Sequence, residues 1–241
     1  MSRLAAGDLD HGWVLHRRRY RETSLIVEFL TREHGRVAAV ARGALRGRSA
    51  LASTLQPSTP LGLGLRGRGE LMTLTHAEPL APAPILAGDR LYCLFYLNEL
   101  VLRLTAAHDP NPPLIEVYAE ALTALAADAP LEALLRRFEK QLLDALGFGL
   151  QLDAEADTDA PLAPEAEYHY LVERGPVRAG PASSGVRVQG ATLLALAADE
   201  PLSARALAEA KRLMRGVLHH HLDGRPLASR ALFEAQGRGK P

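Results

Sequence analysis

The stretch TSLIVEFLTREHGRVAAVARG, residues 23–43, contains two segments of strand composition joined by a tight turn. Residues 23–31 and 36–43 are rich in β-branched, aromatic and alternating apolar residues, and Gly35 supplies the turn between them. The preceding segment GWVLHRR, residues 12–18, has the same character. The sequence therefore predicts a meander of three short strands.

Two further strands are predicted at LGLGLRG, residues 61–67, and ELMTLTHAE, residues 70–78, on either side of a glycine-rich turn. A long connection separates them from the meander. Five short strands with a long connection between the third and the fourth are typical of an OB-type barrel, which binds nucleic acid across its open face and loops. We expect residues 1–80 to form such a domain.

Gly62, Gly64 and Gly67 have the G-x-G-x-x-G spacing of a phosphate-binding loop. That loop requires a helix that begins at its last glycine and directs backbone N–H groups at the phosphates. Here a predicted strand follows instead. We therefore expect no dinucleotide binding, and we interpret the glycines as places where the strand bends or another backbone approaches closely.

Beyond the proline-rich segment PLAPAPI, residues 79–85, the apolar residues follow a helical period. Residues 151–190 are polar and interrupted by glycine and proline, so we expect an irregular insert there that contains a hairpin around YHYLVE. The predicted fold is α+β, an OB barrel in 1–80 and a mainly helical domain in 81–241. Its helices are predicted in 88–105, 112–128, 130–149, 202–222 and 229–236.

Composition limits the class of protein. With 47% apolar and 23% charged residues the chain has an ordinary globular balance. The single cysteine, Cys93, excludes an intramolecular disulfide and a zinc site made of several cysteines. No run of about 18 apolar residues suits a membrane span, and the N-terminus lacks the apolar region of a secretion signal. We expect a cytoplasmic protein.

The formal net charge of +0 conceals a segregation of charge along the chain. Residues 1–80 carry 12 basic groups, all arginine, against 7 acidic groups, residues 81–200 are acidic, and residues 201–241 are basic again. Such a distribution indicates localised contacts with a polyanion, because arginine suits bidentate phosphate contact. A preference of the genome for arginine over lysine explains the residue type but not the segregation.

The arginines of the first 80 residues are the candidate DNA-binding residues. Flexible glycines in ARGALRGRSA, residues 41–50, let guanidinium groups follow a phosphate backbone, and the aromatic ring in HRRRYRE, residues 16–22, is placed to stack on a base. The alternatives are a solvated basic loop and a tyrosine that closes a hydrophobic rim. The candidates are Arg17, Arg18, Arg19, Tyr20, Arg21, Arg42, Arg46, Arg48, Arg66 and Arg68.

We find no pattern that predicts catalysis. The three consecutive histidines His219–His221 point in different directions around a helix, and no histidine four residues away completes a metal site. The serines of PASSG lie in a predicted loop, and no pairing of a nucleophile with a base is apparent. We therefore expect no enzymatic activity, no metal and no cofactor.

Several motifs, taken in order, resemble the RecO family of bacterial recombination mediators and DNA-repair proteins. The resemblance covers nearly the whole chain and rests on ETSLIV, LQP, YLNEL, FEKQLLDALG, AKRLMRGVL and GRPLASRALF. Several RecO proteins carry a four-cysteine zinc site in the insert that follows the LG(F/Y)G helix. This chain has no cysteine there, so we expect packing of the insert to take over its supporting role.

The resemblance implies a protein without enzymatic activity, with an OB domain and a helical domain. Such a protein binds single- and double-stranded DNA, anneals complementary strands, contacts the acidic C-terminal tail of single-strand-binding protein (SSB), and cooperates with RecR in loading RecA at the nucleoid. The alternative is a protein–protein adaptor whose OB domain does not touch nucleic acid. The arginine clusters favour DNA binding.

A candidate site for the SSB tail lies on two predicted helices. Helical spacing puts its cations on a common side of one helix, beside an apolar stripe of Leu207, Met214 and Leu218. A groove with cationic rims suits an acidic peptide that ends in a phenylalanine carboxylate. The alternative is that the stripe is buried and the cations are merely solvated. The candidates are Arg136, Arg137, Lys211, Arg212 and Arg215.

Overall fold

A computed structural model describes residues 9–47, 49–180 and 185–237. The chain divides into two compact units, one made of residues 1–127 with 227–241 and the other of residues 128–226. In chain order the elements are β1 (Asp10–Tyr20), β2 (Ser24–Thr31), β3 (Gly35–Ala41), α1 (Leu51–Thr54), β4 (Leu61–Arg66), β5 (Leu71–Pro79), α2 (Asp89–Leu104), α3 (Pro112–Ala126), α4 (Leu131–Ala145), β6 (Glu167–Leu171), β7 (Gly175–Arg178), β8 (Val186–Gln189), α5 (Gly190–Ala197), α6 (Ala204–His221) and α7 (Ala228–Gly237).

The first five strands form a closed barrel in the order β1-β2-β3-β5-β4. Neighbouring strands are antiparallel except β3 and β5, which are parallel. Alternate residues point inward, as the buried and half-buried residues of β3 illustrate. Val27, Phe29 and Val37 are fully buried in this interior. The predicted five-stranded barrel and the α+β class are therefore confirmed, whereas the domain boundary at residue 80 stays a prediction.

The glycines of β4 serve packing within the barrel. A Cβ atom on Gly64 would lie 2.8 Å from Thr75 Oγ1, and that hydroxyl donates a hydrogen bond to the Gly64 carbonyl. The register of β4 against β5 shifts between Gly64 and Leu65, and the extra residue of this bulge is Thr75 on β5. A strand, β5, follows Gly67 after a short turn. Of the two expected functions of these glycines, the structure shows the close approach, at Gly64.

Two side chains connect the barrel to the helices of the first unit. The Asn98 amide on α2 donates to the Leu15 carbonyl on β1 at 2.9 Å, and the Tyr118 hydroxyl on α3 donates to Asn98 Oδ1 at 2.6 Å. All three residues are buried. Burial raises the pKa of the Tyr118 hydroxyl, so this group remains a donor at every physiological pH. The YLNEL motif therefore has a structural function.

Glu99, the next residue of that motif, holds the N-terminus of α7. Its carboxylate accepts hydrogen bonds from the Ala228 N–H, the Ser229 N–H and the Ser229 hydroxyl at 2.7–2.9 Å. Burial alone would raise the pKa of Glu99, but these hydrogen bonds and the charge of Arg103 outweigh it and lower the pKa. A carboxylate therefore satisfies the free N–H groups at this helix end.

The second unit contains a three-stranded sheet in the order β7-β6-β8, with α5 and α6 beside β8. The hairpin expected within the insert around residues 168–173 is present as β6 and β7. The structure corrects the expectation of an irregular insert, because β8 and the start of α5 were not predicted. The carboxylate of Glu209 on α6 fixes this part by accepting from the Gln189 N–H and the Thr192 hydroxyl.

A substitution at Gly35 tests how tightly the β2–β3 turn packs against its neighbours. Its φ is +67°, and an added Cβ would lie 2.2 Å from the Asp109 carbonyl oxygen. We expect Gly35→Ala to lower the free energy of unfolding by roughly 2 to 5 kcal/mol, from backbone strain and overpacking together. Gly47→Ala is the matched control, since nothing lies within 4 Å of its added Cβ. Urea unfolding measures both variants, and equal stabilities would contradict the packing described here.

Glu99 makes stability depend on pH. A lowered pKa in the folded state means that its contribution is present above the ordinary glutamate pKa of about 4.3 and is lost as pH falls through the folded-state value. We expect Glu99→Gln to lower the free energy of unfolding by about 1 to 2 kcal/mol at pH 7. The difference from the wild type should shrink below about pH 4. A difference that is constant from pH 3 to pH 7 would exclude a role for the charge.

Candidate nucleic-acid interface

Exposed arginines surround the turn between β1 and β2. Arg18 and Arg19 lie at the end of β1 and are exposed, as is Arg21 in the turn, where φ is 54°. The Arg21 guanidinium carbon lies 5.1 Å from the centroid of the Tyr20 ring. This distance suits a cation–π contact, which holds the aromatic ring beside the cations.

The segment that follows β3 brings two more arginines close to the β1–β2 turn. The Leu45 N–H donates to the Thr23 carbonyl at 2.9 Å, which fixes the segment after β3 against the β1–β2 turn. Arg42 and Arg46 are exposed on this segment. Gly43, between them, has a φ of +70° and so makes the sharp bend possible. We call the resulting group the arginine end of the barrel, made of Arg18, Arg19, Arg21, Arg42 and Arg46.

Arg17 has a different environment from its neighbours. Its guanidinium donates to the Ala52 carbonyl at 2.7 Å, to the Leu55 carbonyl at 3.1 Å and to Gln56 Oε1 at 3.0 Å. These acceptors lie in and just after the short helix α1, so Arg17 caps the C-terminal end of that helix. The predicted DNA contact of this residue stays a prediction, and its hydrogen bonds give it a structural function.

The turn between β4 and β5, with exposed Arg66 and Arg68, lies at the opposite end of the barrel. Its position follows from strand direction, because β4 runs antiparallel to β1. The two ends are nevertheless connected across the outer face. One row of directly paired residues crosses the five strands from β1 to β4, in the order Arg18, Ile26, Val40, Thr73 and Arg66. Four strand spacings of about 4.8 Å separate these two arginines along the sheet.

A cleft of about 470 Å³ opens beside α1 at the arginine end. We call it the α1 cleft. Three consecutive arginines of β1, two leucines and three residues in or near α1 line it: Arg17, Arg18, Arg19, Leu25, Leu45, Ala52, Ser53 and Gln56. Sequence reasoning did not select Ser53 or Gln56, because no local pattern shows that α1 lies beside β1. Arg48, the remaining candidate of this cluster, lies outside the described residues.

The candidate SSB-tail residues lie on α4 and α6 of the second unit. Arg137, Lys211, Arg212 and Arg215 are exposed. Lys211 Nζ lies 3.3 Å from Glu132 Oε1, which connects α6 to α4. These two helices therefore pack side by side, as the candidate site required.

The structure does not provide the apolar groove proposed beside these cations. Met214 and Leu218 are fully buried, and Leu207 is half-buried. Arg136 is buried as well, and its guanidinium donates to Glu139 Oε1 at 2.5 Å. Four exposed cations on two adjacent helices remain, so the site as a whole stays a prediction.

The insert that follows α4 is organised by a carboxylate. Glu155 accepts hydrogen bonds from the Thr158 hydroxyl at 2.8 Å, from Arg178 Nε at 2.7 Å and from the Tyr168 hydroxyl at 3.3 Å. The bonds from Thr158 and Arg178 lower the pKa of Glu155. In the part of the chain that the structure describes, no group of three or more His, Cys, Asp and Glu side chains is placed to hold a metal ion.

The histidines at the end of α6 contact other side chains. The His221 ring stacks on Phe148 with 4.5 Å between centroids, and His220 Nε2 lies 3.1 Å from Glu173 Oε1. Burial and the neighbouring His220 lower the pKa of His221. These residues therefore pack the helix end against the LGFG loop and the β6–β7 turn.

Two family models match the chain. Recombination protein O N terminal matches residues 9–83, and Recombination protein O C terminal matches residues 86–231. The chain belongs to the RecO family. The predicted resemblance is confirmed, and the N-terminal match coincides with the barrel that carries the arginine end.

Similar proteins occur in several bacteria under the name DNA repair protein RecO. The protein of Methylococcus capsulatus is 48% identical over 94% of this chain and 93% of its own length. That of Nitrosococcus oceani is 47% identical over 94% of this chain and 92% of its own. That of Aromatoleum aromaticum is 43% identical over 97% and 98%. Among the described residues of this RecO-family chain, no helix is long and apolar enough to cross a membrane.

Proposed function

We propose that this RecO-family protein is a recombination mediator in DNA repair that acts without enzymatic activity. It binds single- and double-stranded DNA through the arginine end of its barrel, anneals complementary strands, and works with SSB and RecR in the loading of RecA in the cytoplasm. The observation that carries the proposal is the convergence of five exposed arginines from two turns that are hydrogen-bonded to each other.

The charge at the arginine end supports a contact with phosphates. Glu22 is the acidic residue within the β1–β2 turn, against Arg18, Arg19 and Arg21 beside it. Guanidinium groups that neutralise phosphates release counterions, which gives an affinity that depends steeply on salt and little on sequence. This behaviour suits a protein that must bind any repair substrate. Arg66 and Arg68 extend the proposed contact across the outer face of the barrel.

We further propose that the exposed cations of α4 and α6 bind the acidic tail of SSB. Arg137, Lys211, Arg212 and Arg215 supply positive charge on adjacent helices, and a carboxylate-rich peptide forms charge-assisted hydrogen bonds with such groups. Because Met214 and Leu218 are buried, the proposed contact rests on charge rather than on an apolar groove.

The first test removes three cations of the arginine end together. We expect Arg18→Ala with Arg42→Ala and Arg46→Ala to fold normally and to weaken binding to any DNA sequence alike. The slope of log affinity against log salt should flatten by about 2 units for single strands. Fluorescence anisotropy with a labelled oligonucleotide at several salt concentrations measures this. The control removes the same charge from the exposed residues Arg32, Arg174 and Arg187. An equal loss of DNA affinity in the two triple variants would show that binding depends on net charge alone.

The second test addresses the SSB tail. We expect Lys211→Ala with Arg215→Ala to weaken binding of a labelled SSB C-terminal peptide by roughly 1 to 3 kcal/mol, because charge-assisted contacts are lost. DNA binding should be unchanged in this variant. Arg174→Ala with Arg187→Ala is the matched control, since both arginines are exposed in the same unit. Peptide affinity equal to that of the wild type in the first double variant would contradict this placement.

A further inference from the structure

We propose that the α1 cleft holds one unpaired nucleotide of a single DNA strand, with its phosphate on Arg18 and Arg19 and its base against Leu25 and Leu45. This inference rests on the proposed binding of DNA by the arginine end. The inference goes further by naming what the cleft recognises in a DNA strand, namely a base that is not stacked on its neighbours.

The dimensions of the cleft suit such a ligand. Its volume of about 470 Å³ lies within the range of roughly 300 to 1,000 Å³ typical of sites for small organic molecules. A base within a duplex is stacked and paired, so it enters a cleft only after it has been turned out of the helix. An unpaired base in a single strand needs far less rearrangement. The cleft therefore distinguishes single strands from duplexes by shape.

The lining of the cleft combines cations for the phosphate, an apolar wall for the face of the base and a polar amide for its edge. Arg18 and Arg19 are exposed cations at its edge, and Leu25 with Leu45 forms an apolar wall. Positive charge binds the phosphate, and the apolar wall covers one face of the base.

The amide of Gln56, a polar group in the lining of the cleft, is held by two hydrogen bonds. Gln56 Nε2 donates to the Ala52 carbonyl at 2.8 Å, and Gln56 Oε1 accepts from Arg17 Nη2 at 3.0 Å. These two bonds hold the amide in one orientation. An amide has two N–H donors and two acceptor lone pairs, so one donor and one lone pair remain to bond the edge of a base. The capping function of Arg17 thus also orients the group that faces the ligand.

The surroundings favour a nucleic acid over an acidic peptide as the occupant. Arg21, Arg42 and Arg46 extend the positive charge beyond the cleft along the end of the barrel. A nucleic acid strand carries a charge on every unit of its backbone and continues along these cations while one base is inserted.

Filling the cleft tests the inference. Ser53 is exposed in its lining, and its hydroxyl donates to the Ala50 carbonyl at 2.6 Å within the α1 turn. We expect Ser53→Trp to weaken binding of a 15-nucleotide thymidine strand by about tenfold, and binding of a 15-base-pair duplex by less than about twofold. Thr123→Trp is the matched control, because Thr123 is an exposed helical residue of the same unit whose hydroxyl bonds the Ala119 carbonyl. The control should change neither affinity.

A second measurement uses the wild-type protein, so it does not depend on the folding of a variant. We expect a 15-nucleotide strand of abasic sites, which keeps every phosphate but lacks the bases, to bind about five- to tenfold more weakly than the thymidine strand. Equal affinities would overturn the inference, as would an equal effect of Ser53→Trp on both DNAs. Binding of a glutamate-rich peptide that Ser53→Trp abolishes would also overturn it. By contrast, a wild-type protein that binds neither DNA would refute the proposed function itself.

Discussion

A one-residue bulge in β1 decides which arginines of this strand lie on the inner side of the barrel wall and which lie on its outer side. The register against β2 shifts between Val14 and His16, so that beyond the shift Arg17 lies opposite the interior residue Val27 and Arg18 lies opposite Ile26. An unbroken strand that starts from the buried Val14 would have put Arg18 on the inner side, because side chains alternate along a strand. The extra residue, Leu15, offers its carbonyl to Asn98 of α2. Packing of the helix and the position of the bulge therefore stabilise each other.

The strands of the barrel were predictable because each has a local signal, whereas the faces of β1 were not. Alternation, Gly35 and the glycine-rich turn at 67–69 indicate where strands begin and end. A bulge has no comparable signature, since Val14 and Leu15 are both apolar and only polar residues follow up to Arg19, so the sequence does not show which residue is the extra one. In the second unit, β8 has only four residues, and α5 has an almost continuous apolar sequence without a helical period. Both elements depend on neighbours that are distant in sequence.

Several basic side chains, among them the predicted DNA-binding residue Arg17, donate hydrogen bonds to carbonyl groups at the C-terminal ends of helices. The Arg36 guanidinium donates to the Thr105 carbonyl at the end of α2, Arg90 to the Leu125 carbonyl near the end of α3, and Lys140 to the Leu196 carbonyl in α5. Arg17 does the same for α1. In every case at least 35 residues separate the partners along the chain. The local sequence therefore does not distinguish an arginine that caps a helix from one that remains exposed, and only the tertiary structure separates them.

This division of functions is consistent with the proposal that a chain of zero net charge binds a polyanion. Interactions between exposed charges are screened over about 8 to 10 Å in physiological salt, so a ligand responds to the local group and not to the total charge. At the arginine end, five exposed guanidinium groups lie near a single acidic residue of the turn, Glu22. Many carboxylates elsewhere, among them Glu99, Glu155 and Glu209, accept hydrogen bonds inside the fold. In the proposed function, a small number of phosphate contacts would give an affinity that falls steeply with salt, and annealing would require the protein to dissociate once the two strands have paired.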